Sequence, residues 1–329
     1  LCPFAAGDVT RGIVAVTGAA GFVGRALCAH LAETGRGYRA LVRTPKQAAS
    51  LPHAVAVGDL ASVPEGELTA ALEGVHAVVH LAGRAHVMGE ATQDAVLHRA
   101  ANVVATERLA AAAVAASVQR FVFASTVKVH GEATRPGRPL RADDPLAPAD
   151  AYARSKADAE RALHAICAAT SMVPIVLRTP LVYGPGVRAN FLALIDEVAR
   201  RAWLPLAAID NRRDLLYIGN LAYAITALVE LPEAPRGAWL VADGEAVSTP
   251  DLIRRVAAQL GVVPRLFSVP VPLLKAAASI VGRGSKVSRL AQSLEVDASP
   301  LAQAIGAMPH TLAQGLAATA RWWRLQHAI

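Results

Sequence analysis

The stretch AYARSKADAE places a phenol and an ammonium, Tyr152 and Lys156, four residues apart on what reads as a polar helix. Residues at that spacing are neighbours on one helix face. A free tyrosine titrates near 10, too high for efficient proton transfer at neutral pH. A neighbouring cation stabilises the phenolate and draws that value down. The pair therefore suits an acid/base and its tuner. Twenty-six residues before Tyr152 stands Thr126, preceded by Ser125, in FASTVKVHG (123–131). These hydroxyls would sit at the carboxyl end of a strand and could orient a reacting oxygen.

The elements that must position them follow from periodicity. Near-continuous apolar runs predict strands at 13–17, 38–42, 54–57, 76–81, 120–125 and 174–178. Helices are predicted between them near 22–34, 65–73, 93–116 and 150–168. Strands of this kind belong to a parallel sheet covered on both faces. Their alternation with helices predicts a doubly wound α/β domain. After residue 179 prolines cluster and helices shorten. The chain is therefore read as a dinucleotide-binding domain over 1–179, to which 213–230 returns. A smaller substrate-binding lobe is read over 180–212 and 231–329. A closing amphipathic helix is expected over 311–326, with Trp322 and Trp323 in packing roles.

The first strand runs directly into TGAAGFVG (17–24) and a helix. Gly18 suits the tight turn, Gly21 the close approach of a pyrophosphate, and Gly24 the packing of helix on strand. Phe22 and Val23 fall in the first turn of that helix, whose N–H groups would face phosphate. In this strand–turn–helix context the glycines mark a dinucleotide site. The second strand ends in LVRTP, with Arg43 where an acidic residue usually holds the ribose of NAD. Arg43 can pair with a 2′-phosphate, so NADP is expected and NAD stays open. Asp59 and Leu60 follow the third strand, Leu81, Ala82 and Gly83 the fourth, and Asn102 lies on the next helix. All are read as lining the cofactor.

Composition narrows the classes. The chain has 329 residues and a net charge of +7, but its basic residues are scattered. Nucleic-acid binding would want a clustered basic face with aromatics, and none is seen. A polyanionic small ligand fits better. Cys2, Cys28 and Cys167 are far apart and odd in number, so neither disulfides nor a metal site is indicated. Residues 1–12 lack the pattern of a signal peptide. The apolar stretch 269–282 is too short to span a bilayer and is read as a core or substrate-pocket helix. The expected setting is cytoplasmic.

These residues carry a resemblance. TGAAGFVG, HLAG, ASTVKVHG, YARSK, LRTPLVYGPG (177–186) and RRDLLYIGNLA (212–222) make the chain resemble an extended short-chain dehydrogenase/reductase. The type is that of the NAD(P)-dependent nucleotide-sugar epimerases, dehydratases and reductases. Within it the chain is most similar to enzymes that reduce C4 of UDP-4-keto-6-deoxy-N-acetylhexosamines. The resemblance implies a Rossmann sheet with a smaller C-terminal lobe and hydride transfer at C4 of a UDP-linked sugar. It implies Tyr152 as acid/base, Lys156 on the nicotinamide ribose, and Thr126 or Ser125 on the sugar oxygen. Arg213 matches a diphosphate-binding arginine. Asn190 and Phe191 match positions near the nucleotide, and Lys128 and Arg289 are read as further candidate substrate contacts. Dehydratases of this type carry an Asp–Glu pair where Val127 and Lys128 stand here, which argues against dehydration. A 4-epimerase with retained NAD is the alternative to a 4-reductase. A non-catalytic NADP-binding sensor would lose the Tyr or the Lys, and both are present. Leu181 replaces a common Asn, so sugar contacts at that wall do not carry over. Relatives often pair through helices corresponding to 93–116 and 150–168, so a homodimer is expected.

Overall fold

In the computed structural model, described residues are 12–84, 91–135, 137–233, 235–280 and 284–327. The reading of residues 1–12 and Cys2 therefore lies almost wholly outside them. Among the described residues, eleven strands run in chain order. They are β1 (Ile13–Thr17), β2 (Tyr38–Val42), β3 (Ala54–Ala56), β4 (Val75–His80), β5 (Arg120–Thr126), β6 (Val173–Thr179), β7 (Leu181–Tyr183), β8 (Trp203–Leu204), β9 (Leu215–Tyr217), β10 (Gly237–Leu240) and β11 (Arg265–Leu266).

Seven of them form one sheet in the order β10-β6-β5-β4-β1-β2-β3. The pairs β1–β2, β1–β4, β2–β3 and β4–β5 are parallel. The order reverses direction between β1 and β4. In open α/β sheets this switch, at the carboxyl ends of the strands, is where ligands bind. The Rossmann architecture expected from the alternation of elements is present, and all six predicted strands form within about two residues of their limits.

The chain divides into two compact units. The first comprises 1–124, 155–176 and 225–237, the second 125–154, 177–224 and 238–329. In the first, Val14–Val16, Val78, Val79, Leu109, Phe121 and Phe123 are buried. Burial of both sheet faces explains why these strands read as unbroken apolar runs. The helix Phe22–Glu33 follows the glycine turn directly. The long helix expected over 93–116 is interrupted. Ala91–His98 and Ala105–Ala115 are α-helical, and Arg99–Val104 between them is a π-helix. Such single-turn widenings often mark functional positions, and this one carries Asn102.

In the second unit, β7 pairs with β9 and β8 with β11. Tyr183, Phe191, Ile195, Leu216 and Ile253 are buried. A further cluster joins Val127, Leu240, Ala242, Leu294 and Val296, which anchors the turn after β5. The closing helix spans Leu312–His327. Trp323 is buried there and donates Nε1–H to Asp196 at 2.8 Å. The apolar run near 269–282 forms the helix Val271–Ile280, but not as a core element. Ala278 is its only buried side chain among those described, and Leu273 is 63% exposed.

Candidate active site

The cofactor side begins at the turn between β1 and the helix Phe22–Glu33. Gly18 has φ +65°, a left-handed conformation that favours glycine. A Cβ on it would stand 2.7 Å from the backbone N of Ala82. A Cβ on Gly24 would overlap the carbonyl of Gly18, so this glycine lets the helix pack on its own turn. Gly21, at the N-cap, is exposed, with its N–H bonded to Gly18 O at 2.8 Å. Phe22 and Val23 occupy the first helical turn. A glycine cradle opening onto a helix N-terminus fits the pyrophosphate of a dinucleotide.

Beneath the cradle runs a buried relay of neutral groups. The N–H groups of Leu81 and Ala82 both donate to Thr17 Oγ1 at 3.2 Å. Thr17 Oγ1 lies 2.7 Å from His80 Nδ1, and His80 Nε2 lies 3.1 Å from Thr106 Oγ1. Thr106 donates its hydroxyl proton to Asn102 O at 2.5 Å. A hydroxyl has one proton, so Thr106 must accept from His80. His80 is thus the Nε2–H tautomer, and Thr17 donates to Nδ1. Burial first, and the Lys156 charge second, hold the imidazole down to about 3, so it stays neutral. His80 was not read as a site residue. The available signal was a lone polar ring in the otherwise apolar VHAVVH.

Asn102 is itself clamped. Its Oδ1 accepts from Arg84 N at 2.8 Å, and its Nδ2 donates to Arg84 O and to Ser155 Oγ at 3.2 and 2.8 Å. A Cβ on Gly83 would lie 2.8 Å from Asn102 Oδ1 and 3.6 Å from Lys156 Nζ. Gly83, Asn102 and Lys156 are therefore brought together. Lys156 is buried, donates to Ala124 O at 2.8 Å and sits 4.4 Å from the centre of the Phe123 ring. Burial draws its pKa down to about 8, against the opposing pull of Glu160. Arg43 and Asp59 are exposed. Arg43 opens a short capped turn, and Asp59 Oδ1 accepts from Ala61 N at 3.0 Å. Leu60 is buried, and Leu81 and Ala82 are half-buried.

In the second unit Ser125 and Thr126 are buried at the end of β5. Thr126 Oγ1 accepts from Lys128 N at 3.3 Å and so caps the turn Val127–His130. Thr179 holds the same strand end by donating to Ser125 O at 3.3 Å. Tyr152 lies in the first turn of the uninterrupted helix Ala151–Ala168, one turn before Lys156. Burial first and Asp150 second push its phenol up to about 12. In the protein alone these outweigh the downward pull expected from the lysine.

Arg213 Nη1 donates to the carbonyls of Arg289 and Gln292, both at 2.9 Å. Arg289 Nε lies 3.3 Å from Glu132, which also pairs with Lys128. Lys128, Arg213 and Arg289 thus share one charged cluster, with Glu132 as a member that sequence reasoning missed. Asn190 is exposed, whereas Phe191 is buried and stacks on Tyr183 at 5.2 Å. Among the described residues no group of His, Cys, Asp or Glu could hold a metal ion.

Residues 14–242 match the model of the NAD dependent epimerase/dehydratase family. The chain belongs to this family. It is 37% identical over 268 residues to UDP-glucose 4-epimerase from Vibrio cholerae, covering 80% of this chain and 81% of that one. It is 32% identical over 262 residues to 2-alkyl-3-oxoalkanoate reductase from Stenotrophomonas maltophilia, covering 77% of each. The structure of MoeE5 in complex with UDP-glucose and NAD superposes with a TM-score of 0.77 at 27% identity, over 96% of this chain and all of that one. Membership makes the protein an NAD(P)-dependent enzyme.

Proposed function

We propose that this protein transfers a hydride at C4 of a UDP-linked 4-keto-6-deoxy sugar, in the direction of reduction. The observation that carries the reading is the pair Tyr152 and Lys156 on one helix, downstream of a complete dinucleotide cradle. The cradle of Gly18, Gly21, Phe22, Val23 and Gly24 holds the pyrophosphate, and Asp59, Leu60, Leu81, Ala82, Gly83 and Asn102 shape the rest of the cofactor site. The bound nicotinamide supplies the hydride. Tyr152 gives its phenolic proton to the C4 oxygen, while Thr126, with Ser125 beside it, donates a hydrogen bond that orients that oxygen. Lys156 holds the nicotinamide ribose and stabilises the phenolate that Tyr152 leaves behind. Arg213, with Arg289, holds the diphosphate, and Asn190 and Phe191 lie near the nucleotide.

Reduction is favoured because exposed Arg43 ends β2 where an acidic residue would hold the NAD ribose, which suits exchangeable NADP. A second reading, 4-epimerisation with retained NAD, is favoured by the Vibrio relative. A homodimer through the helices Ala105–Ala115 and Ala151–Ala168 suits the groove lined by Glu65, Arg108, Ala111, Ala162 and Ile166. A cytoplasmic setting suits the buried free thiols of Cys28 and Cys167. The deciding experiment incubates purified protein with NADPH and a UDP-4-keto-6-deoxy-N-acetylhexosamine and follows absorbance at 340 nm. Stoichiometric oxidation of NADPH supports the reductase. Interconversion of UDP-glucose and UDP-galactose without added cofactor would replace it with the epimerase.

A further inference from the structure

Four charged groups of the second unit, Asp150, Lys128, Glu132 and Arg289, form one continuous chain. Lys128 Nζ lies 2.9 Å from Asp150 Oδ2 and 3.2 Å from Glu132 Oε1. Glu132 Oε2 lies 3.3 Å from Arg289 Nε. The Asp150 side chain is 19% exposed and that of Lys128 26%, so neither is freely solvated. Asp150 uses its other oxygen locally: Oδ1 accepts from Ala153 N at 2.7 Å. A carboxylate in that position caps the helix that carries Tyr152. Lys128 itself stands two residues from Thr126, and its N–H donates to the Thr126 hydroxyl. One ammonium therefore joins the turn that carries Thr126 to the first turn of the helix that carries Tyr152.

We propose that Lys128 is a positioning residue: clamped between Asp150 and Glu132, its ammonium fixes the start of the Tyr152 helix against the Thr126 turn and offsets the carboxylate charge two residues from the phenol. The proposal rests on the reading of Tyr152 as acid/base. An ordinary surface ion pair contributes little. This one is half-buried and has two partners, and each of them has both oxygens engaged. Asp150 already stands, after burial, as a cause that raises the Tyr152 pKa. Asp150, at its own helix end, bears on the phenol by its charge, and Lys156 stands one turn on in the same helix. Lys128 meets Asp150 from the turn after β5, with Glu132 and Arg289 beyond it. Arg154 is exposed and donates to Ala149 O. Removing the Lys128 charge leaves two carboxylates without their shared cation, and the phenol should become harder to ionise.

The test compares Lys128→Met, Lys128→Arg and Asp150→Asn. In Asp150→Asn the amide oxygen still caps Ala153, so the helix start survives while the charge goes. Two readouts are taken: the pH profile of kcat with the UDP-4-keto sugar, and titration of Tyr152 by 13C-tyrosine NMR in the protein without substrate, assigned with Tyr152→Phe. Lys128→Met should move the Tyr152-dependent limb up by about one pH unit. Asp150→Asn should move it down, and Lys128→Arg should restore the wild-type position. Shifts of the same sign in Lys128→Met and Asp150→Asn would overturn the proposal, because both would then act only by loosening the helix. An unmoved limb in Lys128→Met would also overturn it. Retained activity in Tyr152→Phe would sink the acid/base reading, whereas the NMR titration decides the Lys128 link without reference to turnover.

Discussion

Two polar networks support this enzyme, and they are built on opposite principles. Under the cofactor cradle, Thr17, His80, Thr106 and Asn102 are each at most 1% exposed, and the relay through them carries no charge. In the second unit Arg289, Glu132, Lys128 and Asp150 are all ions and all keep part of their surface in solvent. A neutral network can be buried completely if every donor finds one acceptor. An ionic one cannot, because ions lose solvation that their partners only partly replace. The first arrangement sets a rigid geometry for a loop that must not move. The second leaves its charges partly open to solvent. Lys156 is the exception, a buried ammonium set against one carbonyl, one ring face and the charge of Glu160, and its lowered pKa records the cost of burying it.

Substitutions can break each side of this contrast. The largest effect is expected from Tyr152→Phe, which touches the chemistry and neither scaffold. Its kcat should fall by roughly 10²–10⁴-fold, as for other lost acid/base groups. Fluorescence titration should show cofactor affinity unchanged. His80→Leu should break the neutral relay. It leaves two buried hydroxyls without their partner and should lower stability by about 3 kcal/mol in urea denaturation. The same variant carries a pH signature. The folded pKa of His80 is about 3 against the usual 6.5, so its contribution is complete above 6.5 and lost as pH falls towards 3. The wild type should lose stability over that window more steeply than His80→Leu.

Smaller effects are expected from the charged side. Arg213→Ala should raise KM for the UDP-sugar about ten- to hundredfold, the loss of one charge-assisted contact to diphosphate. Cofactor affinity should hold. Arg212→Ala is the control, since Arg212 is exposed and already paired with Glu295 at 2.8 Å. Equal small effects from both would remove the diphosphate from the substrate and point to an uncharged carbonyl compound. Smallest for the fold is Arg43→Asp, on an exposed turn. It should lower the ratio of NADP to NAD affinity with no change in melting temperature. An unchanged ratio would mean that Arg43 only faces solvent.

Local elements were the most legible part of the molecule. β1, β2 and β4 to β6 announce themselves because strands buried on both faces are continuous apolar runs. The turn Gly18–Gly24 is legible because only glycine fits the conformation at Gly18 and the close contact at Gly24. The π-helix Arg99–Val104 was not legible, since one extra residue per turn leaves the apolar pattern of 91–115 unbroken. Nor were β7 and β9, or β8 and β11, whose two- and three-residue strands exist only because a distant partner pairs with them. The apolar run at 271–280 shows the converse. Its composition suggests a core or substrate-pocket helix, and the fold buries only Ala278 among its described side chains.

The sequence by itself determined where the strands of the sheet, the glycine turn and the Tyr152–Lys156 spacing lie, because each leaves its pattern within one short stretch of chain. Only the tertiary structure decided that His80 is a neutral relay and that Asp150 and Glu132 share Lys128. Those roles join groups 63 residues apart for Thr17 and His80, and 22 for Lys128 and Asp150. A hydrogen bond or an ion pair is indifferent to the length of chain between its partners and needs only that the fold bring them within about 3 Å.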